Sequence, residues 1–163
     1  AEVSHIHSFL QSTGQWRILL FPGDLRDPHR FSKLQDLGHK LSAPGSFIRT
    51  CTPPSSPIDS VISVLTIHTS NRNDIAALEL PDIFHPWTAS RGHNYYKIFT
   101  LDTESGDDIY AAFGIDEEVG CLVVVRPDQH VGYIGELEDL ESVGRYFERI
   151  LKPNKVEVNG AEG

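Results

Sequence analysis

The segment from Cys121 to Gly135 constrains the fold more than any other part of this sequence. The apolar run Cys121–Val125 is followed by Arg126–Gln129 and then by the alternating segment His130–Gly135. Proline at the second position of a turn presets φ, and the aspartate beside it suits a type I turn. We therefore predict a strand, a tight turn and a second strand that together form an antiparallel hairpin.

The rest of the chain alternates between strand and helix patterns. Apolar residues at spacings of three and four predict helices, whereas short apolar runs bounded by turn residues predict strands. Helices are predicted over 29–41, 73–80, 107–113 and 139–151, and strands over 16–21, 61–67 and 95–101. This order predicts an α/β fold of thioredoxin-like topology, with a mixed central sheet flanked by helices and a terminal helix after the C-terminal hairpin.

Length and composition favour a single domain. The chain has 163 residues, of which 39% are hydrophobic, and a second core would be cramped at that size. We assign residues 1–13 to a polar lead-in, 14–152 to the thioredoxin-like domain and 153–163 to a flexible tail.

Charge and hydropathy exclude two classes of partner. The net charge is −9, so a polyanion such as nucleic acid would be repelled. The sequence has no apolar run long enough to span a bilayer and no signal-peptide pattern at its N-terminus, so we expect a cytoplasmic protein without membrane contact. The two cysteines, Cys51 and Cys121, form no CxxC pair, which argues against a thiol–disulfide oxidoreductase.

Two segments resemble the C-terminal domain of the FAD-dependent phenol hydroxylases, the phenol 2-monooxygenases. The stretch from Phe113 through Gly120 to Gly135 is similar to the end of that domain, and Gly14–Asp24 is similar to its first strand. The resemblance spans residues 14 to 151. It implies a thioredoxin-like domain without CxxC that takes part in subunit contacts rather than in the chemistry.

The glycines do not form the dinucleotide-binding pattern of a flavin monooxygenase. Such an enzyme needs a strand–GxGxxG–helix unit, and this spacing is missing. We interpret Gly23–Asp24 as a structural turn, not as a flavin-site pair. We therefore expect no cofactor, and the chain is either an excised domain or a freestanding protein that uses this domain alone.

The predicted loop between Pro81 and Asn94 is the best place to look for chemistry. His85 or His93 could act as a general base with Asp82 orienting it, because imidazole titrates near neutral pH. The neighbouring side chains that could bind a small aromatic ligand are Trp87, Arg91 and Tyr95. The alternative is that His85-Pro86-Trp87 is a packing corner.

His130 and Tyr133 alternate with Val131 and Ile134 along the second hairpin strand, and they are candidates for one exposed face that forms a subunit contact. The alternative is that both side chains are simply exposed to solvent. The histidine spacings form no metal-ligand cluster, so no metal is expected.

The leading hypothesis is a non-redox interaction or dimerisation unit, whose partner is a second copy or a flavin monooxygenase. The alternative is a cofactor-free isomerase, dehydratase or ring-opening enzyme acting on a phenolic or polyketide-derived aromatic substrate.

Overall fold

Strand β1 (Trp16–Gly23) forms the centre of the fold in the computed structural model of this chain. Ile18 to Phe21 are all buried, as expected for an apolar run between two neighbouring strands. The structure describes residues 14–70, 79–88, 92–93, 98–100, 110, 114–116 and 119–151.

The central sheet has five strands in the order β5–β2–β1–β6–β7. The other four are β2 (Ile62–His68), β5 (Ile98–Thr100), β6 (Cys121–Val125) and β7 (Val131–Gly135). β1 and β5 each run parallel to β2, whereas β6 is antiparallel to both β1 and β7. The predicted mixed sheet is confirmed, and its order is consistent with a thioredoxin-like fold.

Three described helices cover one face of the sheet. They are α1 (Pro28–Ser42), α2 (Phe47–Cys51) and α3 (Leu140–Ile150). α1 begins where the Asp27 carboxylate accepts a hydrogen bond from the His29 backbone N–H at 2.9 Å, with proline in the first turn. Asp139 caps α3 in the same way. The terminal helix predicted after the hairpin is confirmed.

The sheet separates two apolar clusters. We call the helix-covered side the first face, and it contributes Ile18, Leu20, Ile62, Val64, Leu122 and Val124 to the main core. The opposite side, the second face, contributes Leu19, Phe21, Leu65, Ile67, Cys121, Val123 and Val125, which pack with Tyr110. Alternation of side chains along each strand produces this division.

The sequence did not predict several short elements. Ser46 is the N-cap residue of α2, and its hydroxyl accepts the Arg49 N–H at 3.3 Å, which makes one helical turn stable beside the core. The predicted loop after Pro81 contains a 3₁₀ turn (Asp82–Phe84) and a two-stranded pair, β3 (Trp87–Thr88) with β4 (Gly92–His93). The predicted helices over 73–80 and 107–113 lie almost entirely outside the described residues.

The β1–α1 connection is closed by a polar network at the ends of the two parallel strands. Gly23 has φ 81°, and its N–H donates to the Tyr110 hydroxyl at 3.0 Å. The Ser70 hydroxyl donates to Asp24 Oδ1 at 2.9 Å, and the Arg26 guanidinium forms two-pronged contacts with the same carboxylate at 2.7 to 3.1 Å. These contacts support a structural turn at Gly23–Asp24.

The β6–β7 turn has the type I form that its sequence predicts. The Gln129 N–H donates to the Arg126 carbonyl at 2.8 Å, and Pro127 lies at the second position. Gln129 itself has φ 71°, a left-handed conformation that glycine adopts at much lower cost. The hairpin therefore contains one residue whose identity does not suit its backbone.

We expect Asp24→Asn to lower the free energy of unfolding by about 1 kcal/mol at neutral pH. The Arg26 hydrogen bonds hold the pKa of the Asp24 carboxyl well below its ordinary value of 3.8. A carboxyl whose pKa is lower in the folded state stabilises above its ordinary pKa and loses that contribution as pH falls. The difference between wild type and variant should shrink below about pH 4 in urea titrations. Arg26→Gln should flatten the same pH dependence, and a difference unchanged at low pH would contradict the ionic explanation.

We expect Gln129→Gly to raise the free energy of unfolding by about 0.5 to 1 kcal/mol, because glycine adopts the left-handed conformation without strain. The greater backbone freedom of glycine in the unfolded chain offsets part of this gain. Chemical denaturation measures the change. Gln129→Ala is the matched control, since alanine keeps the same steric conflict. An equal gain from alanine would mean that the φ angle is not the cause.

Candidate interaction surface

The second face of the sheet extends without interruption to strand β7. One row of cross-strand partners runs from Leu19 through Val123 to Ile134, and the next runs from Arg17 through Val125 to Val131. Cross-strand partners point to the same side of a sheet. Val131 and Ile134 therefore lie on the second face, at the outer end of rows that are buried further in.

An irregularity in the pairing puts both side chains on that face. Val125 pairs with Val131 and Val124 with Tyr133, so Gly132 is an extra residue in β7. In a regular strand, residues three apart point to opposite sides. The bulge at Gly132 instead puts Val131 and Ile134 on the same side of the sheet. The strand therefore does not follow the simple alternation that we expected for His130 to Ile134.

Val131 and Ile134 are exposed although their cross-strand partners are not. Their relative exposures are 46% and 57%, against 2% for Val125 and 0% for Val123. No described strand pairs with the outer side of β7, which is an edge of the five-stranded sheet. We call Val131 and Ile134 the β7 patch.

The two predicted interface residues lie in different surroundings. Tyr133 is half-buried on the first face, where its ring centroid lies 5.7 Å from that of Tyr146 of α3. A Cβ at Gly132 would overlap the Tyr146 hydroxyl, so glycine is needed for this approach. His130 lies in the turn before β7, and its side chain is 79% exposed. Their role in an interface stays a prediction.

Charged groups lie near both ends of strand β7. At the turn, Asp128 lies 3.2 Å from the Arg126 guanidinium and 3.3 Å from the His130 ring. The hydrogen bond from the His130 N–H is the main cause of a lowered Asp128 pKa. At the other end, Glu136 is exposed, and Glu138 contacts Lys33 Nζ at 2.9 Å, which lowers the Glu138 pKa.

The loop residues predicted to carry chemistry are only partly brought together. His85 is 1% exposed, and its Nε2 lies 2.8 Å from the Leu80 carbonyl oxygen. Its Nδ1 lies 3.9 Å from the exposed Asp82 carboxylate. Trp87 and His93 face each other as backbone partners in the β3–β4 pair. Arg91 and Tyr95 lie outside the described residues.

An open groove of about 470 Å³ lies between the end of α1, α2 and α3. Its floor includes Leu41 and Phe47, and its rim carries Lys40, Arg145 and Glu148. The loop residues predicted to catalyse or to bind substrate do not line this groove. It therefore gives the acid–base hypothesis no binding site.

Both cysteine thiols are free and at least partly shielded from solvent. Burial raises the pKa of Cys121 and of half-buried Cys51, so neither is activated as a thiolate nucleophile. Within the described ranges, no group of three or more His, Cys, Asp or Glu side chains is arranged to hold a metal ion. None of the helices described is long and apolar enough to cross a membrane.

Several known proteins are similar to this chain. It is 35% identical to the FAD-dependent monooxygenase terD of Aspergillus terreus. The matched region covers 99% of this chain and 27% of the relative. It is also 35% identical to the 3-hydroxybenzoate 4-monooxygenase of Comamonas testosteroni, over 87% of this chain and 23% of the relative. A third relative, the phenol 2-monooxygenase fsqG of Aspergillus fumigatus, is 29% identical over 84% of the chain and 22% of the relative.

The chain thus spans about a quarter of the length of the curated relatives it matches. Residues 1–155 match one family along nearly the whole sequence. The same family was implied by the residues around the hairpin and the first strand, and the match confirms that resemblance. The chain belongs to the family described as the phenol hydroxylase C-terminal dimerisation domain.

Proposed function

We propose that this chain is a self-association module that joins two copies through the β7 patch. The observation that carries the proposal is the exposure of Val131 and Ile134 on one face of an edge strand. Exposed branched aliphatic side chains continuous with a buried sheet face are typical of protein–protein contacts. The name of the family, a dimerisation domain, supports a second copy as the occupant.

The wider context that we propose is a flavin-dependent aromatic hydroxylase. The relatives named as FAD-dependent monooxygenase and 3-hydroxybenzoate 4-monooxygenase contain a matching region within a much longer chain. In such a protein, this module would hold subunits together while the chemistry takes place elsewhere. The features that support a non-catalytic role are the shielded thiols and the His85 ring held against a backbone carbonyl.

The cofactor-free enzyme remains a prediction. Asp82 and His85 approach each other, but the His85 ring is enclosed and not open to a ligand. No contact among the described residues favours this alternative over self-association.

We expect the purified chain to form a dimer whose population rises with concentration, as measured by sedimentation velocity. Ile134→Lys should raise the dissociation constant at least about tenfold, because it would bury an uncompensated charge in the contact. Val131→Lys should act in the same direction. Circular dichroism should show unchanged secondary structure, since both positions are surface sites.

Ile150→Lys on α3 is the matched control, because Ile150 is 47% exposed and Val131 is 46% exposed. It should leave the dissociation constant nearly unchanged. A wild-type chain that stays monomeric at high concentration would overturn the proposal. So would equal weakening by Ile150→Lys, since the contact would then not be specific to β7.

A further inference from the structure

The outer backbone edge of strand β7 can take a partner strand. No strand in the described part of the chain pairs with that edge. Natural proteins block such edges with proline or charged side chains, because the unpaired N–H and C=O groups otherwise join strands of other chains. The strand Val131–Gly135 contains neither proline nor a charged residue. The bulge at Gly132 interrupts its pairing with β6, but Tyr133 to Gly135 pair regularly.

The hydrogen bonds of the hairpin indicate which backbone groups face outward. The Arg126 N–H donates to the His130 carbonyl at 2.8 Å, so the backbone groups of Arg126 face β7. Along an antiparallel strand this direction alternates, and the groups of Val124 therefore also face β7, whereas those of Val123 face β1. Ile134 is the cross-strand partner of Val123. Its N–H and C=O therefore point away from β6, toward the open edge.

Ile134 combines these outward backbone groups with an exposed side chain. The residue is 57% exposed, and its side chain lies on the second face in the row that runs from Leu19 through Val123. A strand on the open edge would add one more residue to this row. A second copy can supply that strand, because an antiparallel pair of identical strands is self-complementary around a two-fold axis. The description of the family as a dimerisation domain supports the same occupant.

We propose that two copies of this chain pair their β7 strands edge to edge and antiparallel, with Ile134 opposite the partner subunit's Ile134. Each Ile134 N–H then donates to the carbonyl of the partner subunit's Ile134, and the two side chains lie side by side on the second face. The two central sheets become one sheet of ten strands, five from each copy. This inference rests on the proposed function, because it specifies how the β7 patch joins two copies.

Burial of the second face favours strand pairing over the stacking of two such faces. Val131 and Ile134 are exposed, but their partners Val125 and Val123 in the same rows are 2% and 0% exposed. Buried side chains cannot contact another copy, so stacking could use only the outer margin of the face. Strand pairing adds main-chain hydrogen bonds to the contact of the two exposed side chains, as in other complexes formed at sheet edges.

Amide hydrogen exchange of the unaltered chain tests the backbone contact. NMR spectroscopy measures the exchange rate at Ile134 in a dilute sample and in a concentrated sample. The Ile134 N–H should exchange at least about tenfold more slowly in the concentrated sample, because it is then bonded to the partner subunit. The Gly135 N–H faces β6 and is the matched control, which should be protected in both samples. An Ile134 N–H that exchanges equally fast in the dimer would overturn the strand pairing.

A cysteine at position 134 tests the register. Opposite residues of a hydrogen-bonded antiparallel pair have Cα atoms about 5.5 Å apart, a distance that a disulfide can span. Ile134→Cys should therefore form an intermolecular disulfide in a glutathione redox buffer, measured on non-reducing gels. Val131→Cys is the matched control, because the two sites would lie roughly 15 to 20 Å apart in this register. The two wild-type thiols are shielded and should form no cross-link.

The outcomes separate the strand pairing from the self-association itself. If the wild type forms dimers that Ile134→Lys weakens, but the Ile134 N–H stays open to exchange, the strand pairing is wrong and the β7 contact stands. If that N–H is protected but Ile134→Cys cross-links no better than Val131→Cys, the register is wrong. If the wild type forms no dimer, both inferences fail together. Protection of the N–H together with selective cross-linking at position 134 would support the proposal.

Discussion

The pairing of β1 on both of its sides is the interaction on which the rest of the structure depends. Its parallel contact with β2 and its antiparallel contact with β6 use its backbone groups on both edges, and its side chains are buried on both faces by the clusters that pack there. Alternating residues of this one strand then start two separate clusters. α1, α2 and α3 cover one of these clusters, and the other packs with Tyr110 on the opposite side of the sheet.

The hairpin connects this core to the surface. β6 is fully buried because it lies between β1 and β7, whereas β7 has a neighbour on one side only. Its first-face residue, Tyr133, packs under Tyr146, and its second-face residues remain exposed. The exposure of Val131 and Ile134 therefore follows from the position of β7 at the edge of the sheet, together with the bulge at Gly132.

The sequence predicted the elements whose signal is local. The apolar runs at β1 and β6 and the periodicity of α1 and α3 were sufficient, because burial on one or two faces determines those patterns. The bulge was not predicted, and neither was the approach of Tyr146 to Gly132 that accompanies it, because that contact joins residues of two different elements. Titratable residues in the loop suggested a site, but sequence composition does not show that the His85 ring turns toward the Leu80 carbonyl.

The difference in burial between the two hairpin strands affects how such domains diverge in sequence. Substitutions in β6 disturb packing on both faces of the sheet, and selection for folding should hold that strand nearly constant. Substitutions at the outward positions of β7 change little in the core, so they can accumulate while the fold persists. If β7 is the contact that we propose, related proteins within one cell could acquire mutually exclusive pairing through a few changes on a single strand, each keeping its subunits separate from those of the others.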